Sequence, residues 1–454
     1  MDVAEKRVTI AARMDRLPLS RMHRRLTVVL GIGTFFDLYD IFLASVLTAI
    51  LTSAFRLDTV QQALLLSSGF IGMFIGASAM GIVSDYIGRR TMYMVDLLVY
   101  SVFSLAAAFA PDFLWLVLFR FLAGIGLGAE PPLTDIYMGE MIPRYARGKY
   151  TAWCYTVGFL GVPLAGFAGN LLVKVQFLSL PGWRWLLIIG ALGAVIVWFL
   201  RRSLPESPRW YEIRHRFNEA EKTLSVLEEE IRREHGLDRL PEPVPVVVEE
   251  QKKATFVEIF SGQYTQRTVM LWIFQILQTV GYYGFGSLAT LALKEKGIDV
   301  VQTLQYTGLI FLGYPLGSLA SVPVIERFER KFVIIISAAL IAIFGLVFGF
   351  ATAAPIIVVS GFLVTAVSNL FSNAFHIYQA EIFPTRMRGT AVGIAYSLSR
   401  ITTAVLPFIA LPALKLYGPG TVFIGSALIM GLVCLDVGVL GPRSTGRALE
   451  SIAH

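Results

Sequence analysis

Charge is scarce in this chain: 16% of its 454 residues are Asp, Glu, Lys or Arg, against roughly 25% in an ordinary soluble domain. That shortage argues against a water-soluble enzyme. Cysteine is scarcer still. Cys154 and Cys434 stand far apart in apolar stretches, with no Cys-x-x-Cys pair and no Cys/His cluster, so neither a disulfide framework nor a structural metal is indicated. The basic N-terminus, with Lys6, Arg7, Arg13, Arg16, Arg21, Arg24 and Arg25, is not followed by a short apolar core and a small-residue cleavage site, and no removable signal peptide is read there. No nucleophile–base–orienter set and no metal-ligand spacing is found, which speaks against an enzyme and gives no cofactor.

What is abundant is apolar surface, at 55% of the chain. A spanning helix needs ~20 apolar residues, so the composition furnishes on the order of a dozen. Twelve apolar runs are read as spans, at about 26–54, 61–83, 92–110, 113–135, 150–173, 184–201, 268–293, 301–325, 332–352, 355–380, 390–414 and 419–440. The fold class expected is therefore all-α integral membrane. Residues 1–25 form an N-terminal segment, 26–201 a first six-helix bundle, 202–267 a hydrophilic linker with helices, 268–440 a second six-helix bundle, and 441–454 a tail.

The net charge of +7 does not imply nucleic acid, because the basic residues lie in short groups between apolar runs. With both termini cytosolic, 31 Lys/Arg fall inside, 6 outside and 2, Arg120 and Arg400, within spans; without the long linker the ratio is still 19 to 6. The expected partners are the bilayer and a small-molecule substrate with protons. A monomer in a bacterial inner membrane is expected.

Two loops occur twice in the same order, as a duplicated six-helix unit requires. Gly81-Ile-Val-Ser-Asp85-Tyr-Ile-Gly88-Arg89-Arg90 follows the second span, and Val324-Ile-Glu326-Arg327-Phe-Glu329-Arg330-Lys331 the eighth. Gly139-Glu140-Met-Ile-Pro143-Arg144-Tyr-Ala-Arg147-Gly148 follows the fourth, and Ala380-Glu381-Ile-Phe-Pro384-Thr-Arg386-Met-Arg388-Gly389 the tenth. With Pro205-Glu206-Ser207-Pro208-Arg209-Trp210 after the sixth span, these loops resemble the major facilitator superfamily, in particular its sugar-porter-like branches. Ala12-Arg13-Met14-Asp15-Arg16-Leu17-Pro18-Leu19-Ser20 and Phe36-Asp37-Leu38-Tyr39-Asp40 resemble the niacin and aromatic-acid transporters of that superfamily. The resemblance implies two bundles rocking about a central site that opens alternately to each side.

Asp37 and Asp40 lie three apart in the first span and so share a helical face. A carboxylate at membrane depth is a natural proton carrier unless a cation lies close; the bland alternative is a helix cap or a group in a water-filled vestibule. The resemblance matches Asp40 to the acid of the sugar porters' first-span motif and Arg120 to the fourth-span arginine paired with it. Arginine does not usefully titrate, so its expected role is to hold the aspartate ionised until protonation or substrate breaks the pair. A static pair between two helices is the alternative. The glycines at 124, 126 and 128 are read as close helix packing, since a phosphate cradle would need a preceding strand.

Arg400, in the eleventh span, has no acid in its own helix, and a substrate carboxylate would answer it bidentately. The organic-anion carriers of the superfamily resemble the sequence here, whereas sugar porters usually carry no charge. Glu130 or Asp135 is the alternative partner. Gln275, Gln278, Tyr282 and Tyr283 partly echo the sugar-porter seventh span, and Asn369, Asn373 and His376 form a polar stripe on the tenth; both are candidate substrate contacts or plain interhelical hydrogen bonds. Tyr39, Tyr155 and Tyr306, with Phe35 and Phe36, are candidate stacking partners for a flat ring. The loop charges Asp85, Arg89, Arg90, Glu140, Arg147, Glu206, Arg209, Glu326, Arg330, Glu381 and Arg388 are expected to latch the cytosolic gate and to part when it opens.

The function expected is proton-coupled import of a small organic anion, an aromatic monocarboxylate such as nicotinate or a benzoate. A sugar or polyol symporter is the main alternative, supported by Pro205 to Trp210 and the glutamines and opposed by Arg400; drug efflux is a third. A transporter-like sensor is disfavoured because the tail from Pro442 to His454 carries no signalling domain.

Overall fold

The computed structural model describes residues 6–7, 9–243, 246–247, 256–383 and 385–443. After α1 (Ile10–Asp15), the first half runs through α2 (Arg21–Phe55), α3 (Thr59–Ile87), α4 (Arg89–Ala108), α5 (Phe113–Met141), α6 (Arg147–Phe159), α7 (Gly161–Leu172) and α8 (Gly182–Arg201). Two linker helices follow, α9 (Pro208–Ile213) and α10 (Phe217–His235). The second half comprises α11 (Gln263–Glu295), α12 (Val300–Phe311), α13 (Gly313–Arg327), α14 (Arg330–Phe350), α15 (Ala354–Glu381) and α16 (Thr385–Leu440). Two-residue strands pair Lys6–Arg7 with Val246–Val247, and Gln176–Phe177 with Leu180–Pro181.

Among the described residues, ten helices are long and apolar enough to cross a membrane. One of them is two spans. α16 leaves helical geometry at Gly418, where φ is 76° and Pro419 follows. Its start adjoins Glu381, which pairs with Arg330, and its end accepts hydrogen bonds from Lys331 through the carbonyls of Gly438 and Gly441, so both ends lie on one side. α11, at 33 residues, is as long as the others but diluted by Gln275, Gln278, Tyr282 and Tyr283. Counting both gives the twelve spans expected. The fifth and eighth runs are each broken once, at Leu160 and Leu312, and these two broken rods meet: Gly166 packs on Gly308, and the hydroxyls of Thr156 and Ser318 lie 3.0 Å apart.

Local chemistry starts and spaces the helices. Asp58 accepts the amide of Gln61 at 2.8 Å, Asp112 that of Trp115 at 3.1 Å, and Asp299 that of Val301 at 2.9 Å, satisfying orphan first-turn donors. α5 lies against α3 so closely that a Cβ on Gly124 would come within 2.3 Å of the Gly69 carbonyl oxygen. Those glycines serve packing, as the missing strand implied.

The two halves touch on the side away from the basic loops. There Asn170 donates to the carbonyl of Val301 at 2.8 Å, Lys294 to that of Ala49 at 3.3 Å and Lys415 to the hydroxyl of Thr59 at 2.9 Å, while the Phe42 ring packs on Phe311 and Tyr314. Asp135 and His376 lie deep among protein atoms yet are exposed, which places them on the wall of a cavity that solvent reaches.

Candidate transport site

Two ion pairs are sealed inside the first half. Nη1 of Arg120 on α5 donates to both oxygens of Asp40 on α2, at 2.8 and 2.7 Å, and Nη2 to the Asp40 carbonyl at 3.3 Å. Arg201, the last residue of α8, donates from Nη1 to Glu130 Oε2 at 2.8 Å and from Nη2 to Oε1, and its guanidinium lies 4.4 Å from the centre of the Tyr93 ring. All four side chains are buried. Gly33 makes room for the second pair, since a Cβ there would stand 1.8 Å from Arg201 Nη2. Asp37 belongs with this second pair: Glu130 and Arg201 are its foremost charged neighbours, and its Oδ2 has no hydrogen-bond partner. Only Asp40 of the two first-span acids is bonded to Arg120.

Across the cavity, Arg400 on α16 is 3% exposed and makes no ion pair among the described residues. Nη2 donates to the Tyr396 hydroxyl, and the guanidinium lies 4.6 and 5.0 Å from the ring centres of Tyr396 and Tyr283. Nη1 is buried and unpartnered. The two acids weighed as its partners are engaged elsewhere, Glu130 by Arg201 and Asp135 by the Tyr155 hydroxyl at 2.9 Å.

Beside it runs a chain of amides. Gln278 donates to Gln275 at 3.0 Å, Gln275 to Gln379 at 2.9 Å, and Gln379 lies 3.2 Å from His376 Nδ1. His376 stacks on Phe375, with ring centres 4.3 Å apart. Gln379, the link between the seventh-span glutamines and the cavity, is not among the sequence candidates; its i+3 spacing from His376 is the signal that could have found it.

Several candidates are occupied by the fold itself. Asn369 donates to the Tyr314 carbonyl at 2.5 Å and Asn373 to the Ser321 hydroxyl at 2.7 Å, so both tie α15 to α13. Tyr282 is buried in an aromatic group with Tyr283 and Tyr314, at 4.8 and 6.1 Å. One expectation is corrected. Tyr39 is fully buried and donates to the Leu186 carbonyl at 2.9 Å, because it projects from α2 toward α8 inside its own bundle. Tyr306, on α12, is half-buried and packs against an apolar core to which both halves contribute.

Several of the loop charges pair within their own half. Arg89 Nε lies 3.4 Å from Glu140, Glu206 accepts the backbone amides of Arg89 and Arg90 at 3.0 and 3.1 Å, and Arg330 meets Glu381 at 3.1 Å. Burial lifts Glu206 above the ordinary carboxylate range despite those backbone donors. Arg209 and Arg144 converge on Asp15 at 2.9 Å each, with Arg147 at 4.0 Å. Asp15 is thus a hub that the sequence candidates omitted, although it lies inside the N-terminal motif. The side chains of Asp85, Glu326 and Arg388 lie outside the described residues.

Two six-span halves, joined across the membrane interior around buried charge, define a multi-pass carrier of small molecules. The family model for the sugar (and other) transporters matches residues 26–454, and the chain belongs to that family, as a secondary transporter of the major facilitator superfamily that moves a metabolite. It is 36% identical over 396 residues, 86% of each chain, to "Putative metabolite transport protein YyaJ" of Bacillus subtilis (strain 168). It is 28% identical to the niacin transporter NiaP of Acinetobacter baylyi over 98% of this chain and 99% of that protein. Among solved structures, the partially occluded inward-open xylose transporter XylE from E. coli superimposes with a TM-score of 0.76 at 20% identity, over 94% of this chain and 100% of that one, a likeness of fold.

Proposed function

We propose that this transporter imports a small aromatic monocarboxylate, of the nicotinate or benzoate type, together with protons, across a bacterial inner membrane whose cytosolic side is the basic face. The observation that carries the reading is Arg400: a buried guanidinium at the cavity, walled by Tyr283 and Tyr396, with Nη1 unpartnered and no acid paired with it among the described residues. A permanent cation left so calls for an anion, and its planar fork suits a carboxylate, with the tyrosine rings beside it for a flat substrate. The name of the niacin transporter supports the same class.

In the cycle, Asp40 takes a proton on the outside, which frees Arg120; the carboxylate docks on Arg400; the halves rock; both ligands leave at the basic face. Importing at least one proton with each anion offsets the cost of moving negative charge against an inside-negative potential, ~2.3 kcal/mol per charge per 100 mV.

Uptake of radiolabelled nicotinate, benzoate and glucose into proteoliposomes, with and without an inward proton gradient, tests the reading. Gradient-driven carboxylate uptake should be lost in both Arg400→Ala and Asp40→Asn. Glucose uptake that survives Arg400→Ala would instead make the protein a sugar porter and that arginine structural.

A further inference from the structure

The first half holds more buried acid than its arginines answer. Four carboxyl groups, Asp37, Asp40, Asp96 and Glu130, surround Arg120 and Arg201, and the two guanidiniums are bonded to Asp40 and Glu130. Asp96 on α4 is 1% exposed, and neither of its oxygens meets a donor; Oδ2 of Asp37 is also bare. The charges facing Asp96 are Glu130 and Arg201, and those facing Asp37 are Glu130, Arg201, Asp40 and Asp96. Tyr93 and Tyr100 of α4 and Cys154 of α6 are the other titratable groups packed around them. An anion at membrane depth needs a cation or donors in contact, and Asp37 and Asp96 have neither free to them, so each is fitted to hold hydrogen.

Their placement gives the acids a direction. Asp37 lies one turn closer than Asp40 to the basic end of α2, Asp96 is in the second turn of α4 counted from its basic end at Arg89, and Arg201 closes α8 at the same face. The whole group is inside the first bundle, apart from the cavity wall at Asp135 and His376.

We propose that Asp37 and Asp96 form a proton relay within the first half, separate from the substrate cavity, between Asp40 and the basic face. The proposal rests on the proton-coupled reading above. The proton leaves the Asp40 carboxyl and bonds to Asp37; Asp37 accepts on one oxygen as it gives up the proton on its other; Asp96 does the same and releases its proton to water. Asp40, now a carboxylate, pairs again with Arg120, and the relay acids end as they began.

The relay can be read without any substrate. Infrared spectra of the purified protein at neutral pH should contain the carbonyl stretch of a protonated, water-shielded carboxyl group that weakens in Asp96→Asn. Its absence from the unaltered protein overturns the relay. In proteoliposomes, Asp96→Asn should keep exchange of labelled for unlabelled nicotinate, which needs no net proton movement, and lose gradient-driven accumulation and the proton influx reported by a trapped pH dye; Asp96→Glu should restore both. Undiminished accumulation in Asp96→Asn overturns the relay, as does loss of exchange in both variants, which makes the residue structural. If the unaltered protein moves no nicotinate while the infrared band behaves as expected, the relay stands and the substrate reading falls.

Discussion

The two halves hold the buried arginines of their spans in opposite ways. In the first, Arg120 and Arg201 are each closed on a carboxylate, and the remaining acids are sealed in with them. In the second, Arg400 has only tyrosines, and the polar groups beside it are neutral amides and an imidazole. In one half each span arginine has its acid; in the other the span arginine meets no acid among the described residues. On the function proposed above, a duplicated scaffold would divide two tasks, with proton chemistry in one bundle and anion binding in the other.

That contrast can be broken first on the closed side. Glu130→Ala leaves Arg201 buried without its acid, and should cost about 3–5 kcal/mol of stability, seen as a fall in melting temperature; replacing Arg201 by Met in the same chain should recover much of it. On the open side, Arg400→Ala should leave stability little changed and reduce carboxylate uptake about 100-fold, the loss of two hydrogen bonds to a charged group at ~1.5 kcal/mol each. Equal effects on stability from the two changes would erase the distinction. Gly124→Val tests packing alone: overfilling the α3–α5 contact should cost about 1–3 kcal/mol, with the binding preference unaltered in competition assays.

The smallest effect lies outside the membrane. Hydrogen bonds from Arg13 hold Glu221 below the ordinary glutamate range, and those from Arg13 and Arg16 do the same for Glu228 against the opposing effect of burial. Groups held low stabilise the docked N-terminal segment at pH values above their unfolded value of about 4.3 and lose that contribution as pH falls through the folded one. Hydrogen exchange in residues 9–17 should thus be flat from about pH 8 to 5, after correction for intrinsic rates, and rise only in stronger acid.

The twelve spans and the duplicated loops were readable because each is a matter of local composition. Arg201 was not. It stands at the end of the sixth apolar run and counts there with the linker charges; its burial is caused by Glu130, 71 positions earlier. Tyr39 was misread because α2 is apolar on nearly all sides, so its pattern does not say which face turns to the cavity and which to α8. The gate charges show the same limit from the other direction. Their repetition marks them, while which acid meets which arginine depends on how α9 and α1 fold beneath the bundle, and Asp15 enters only there.

The docking of the N-terminal segment also sets an order of events during synthesis. The amide of Ile10 donates to Glu212, 202 positions later, and Arg13 is held by Glu228, 215 positions later. Met14 and Leu17 are fully buried in that arrangement. Residues 10–17 therefore have no seat until six spans and α10 have been synthesised, so their docking can report that the first bundle has been made.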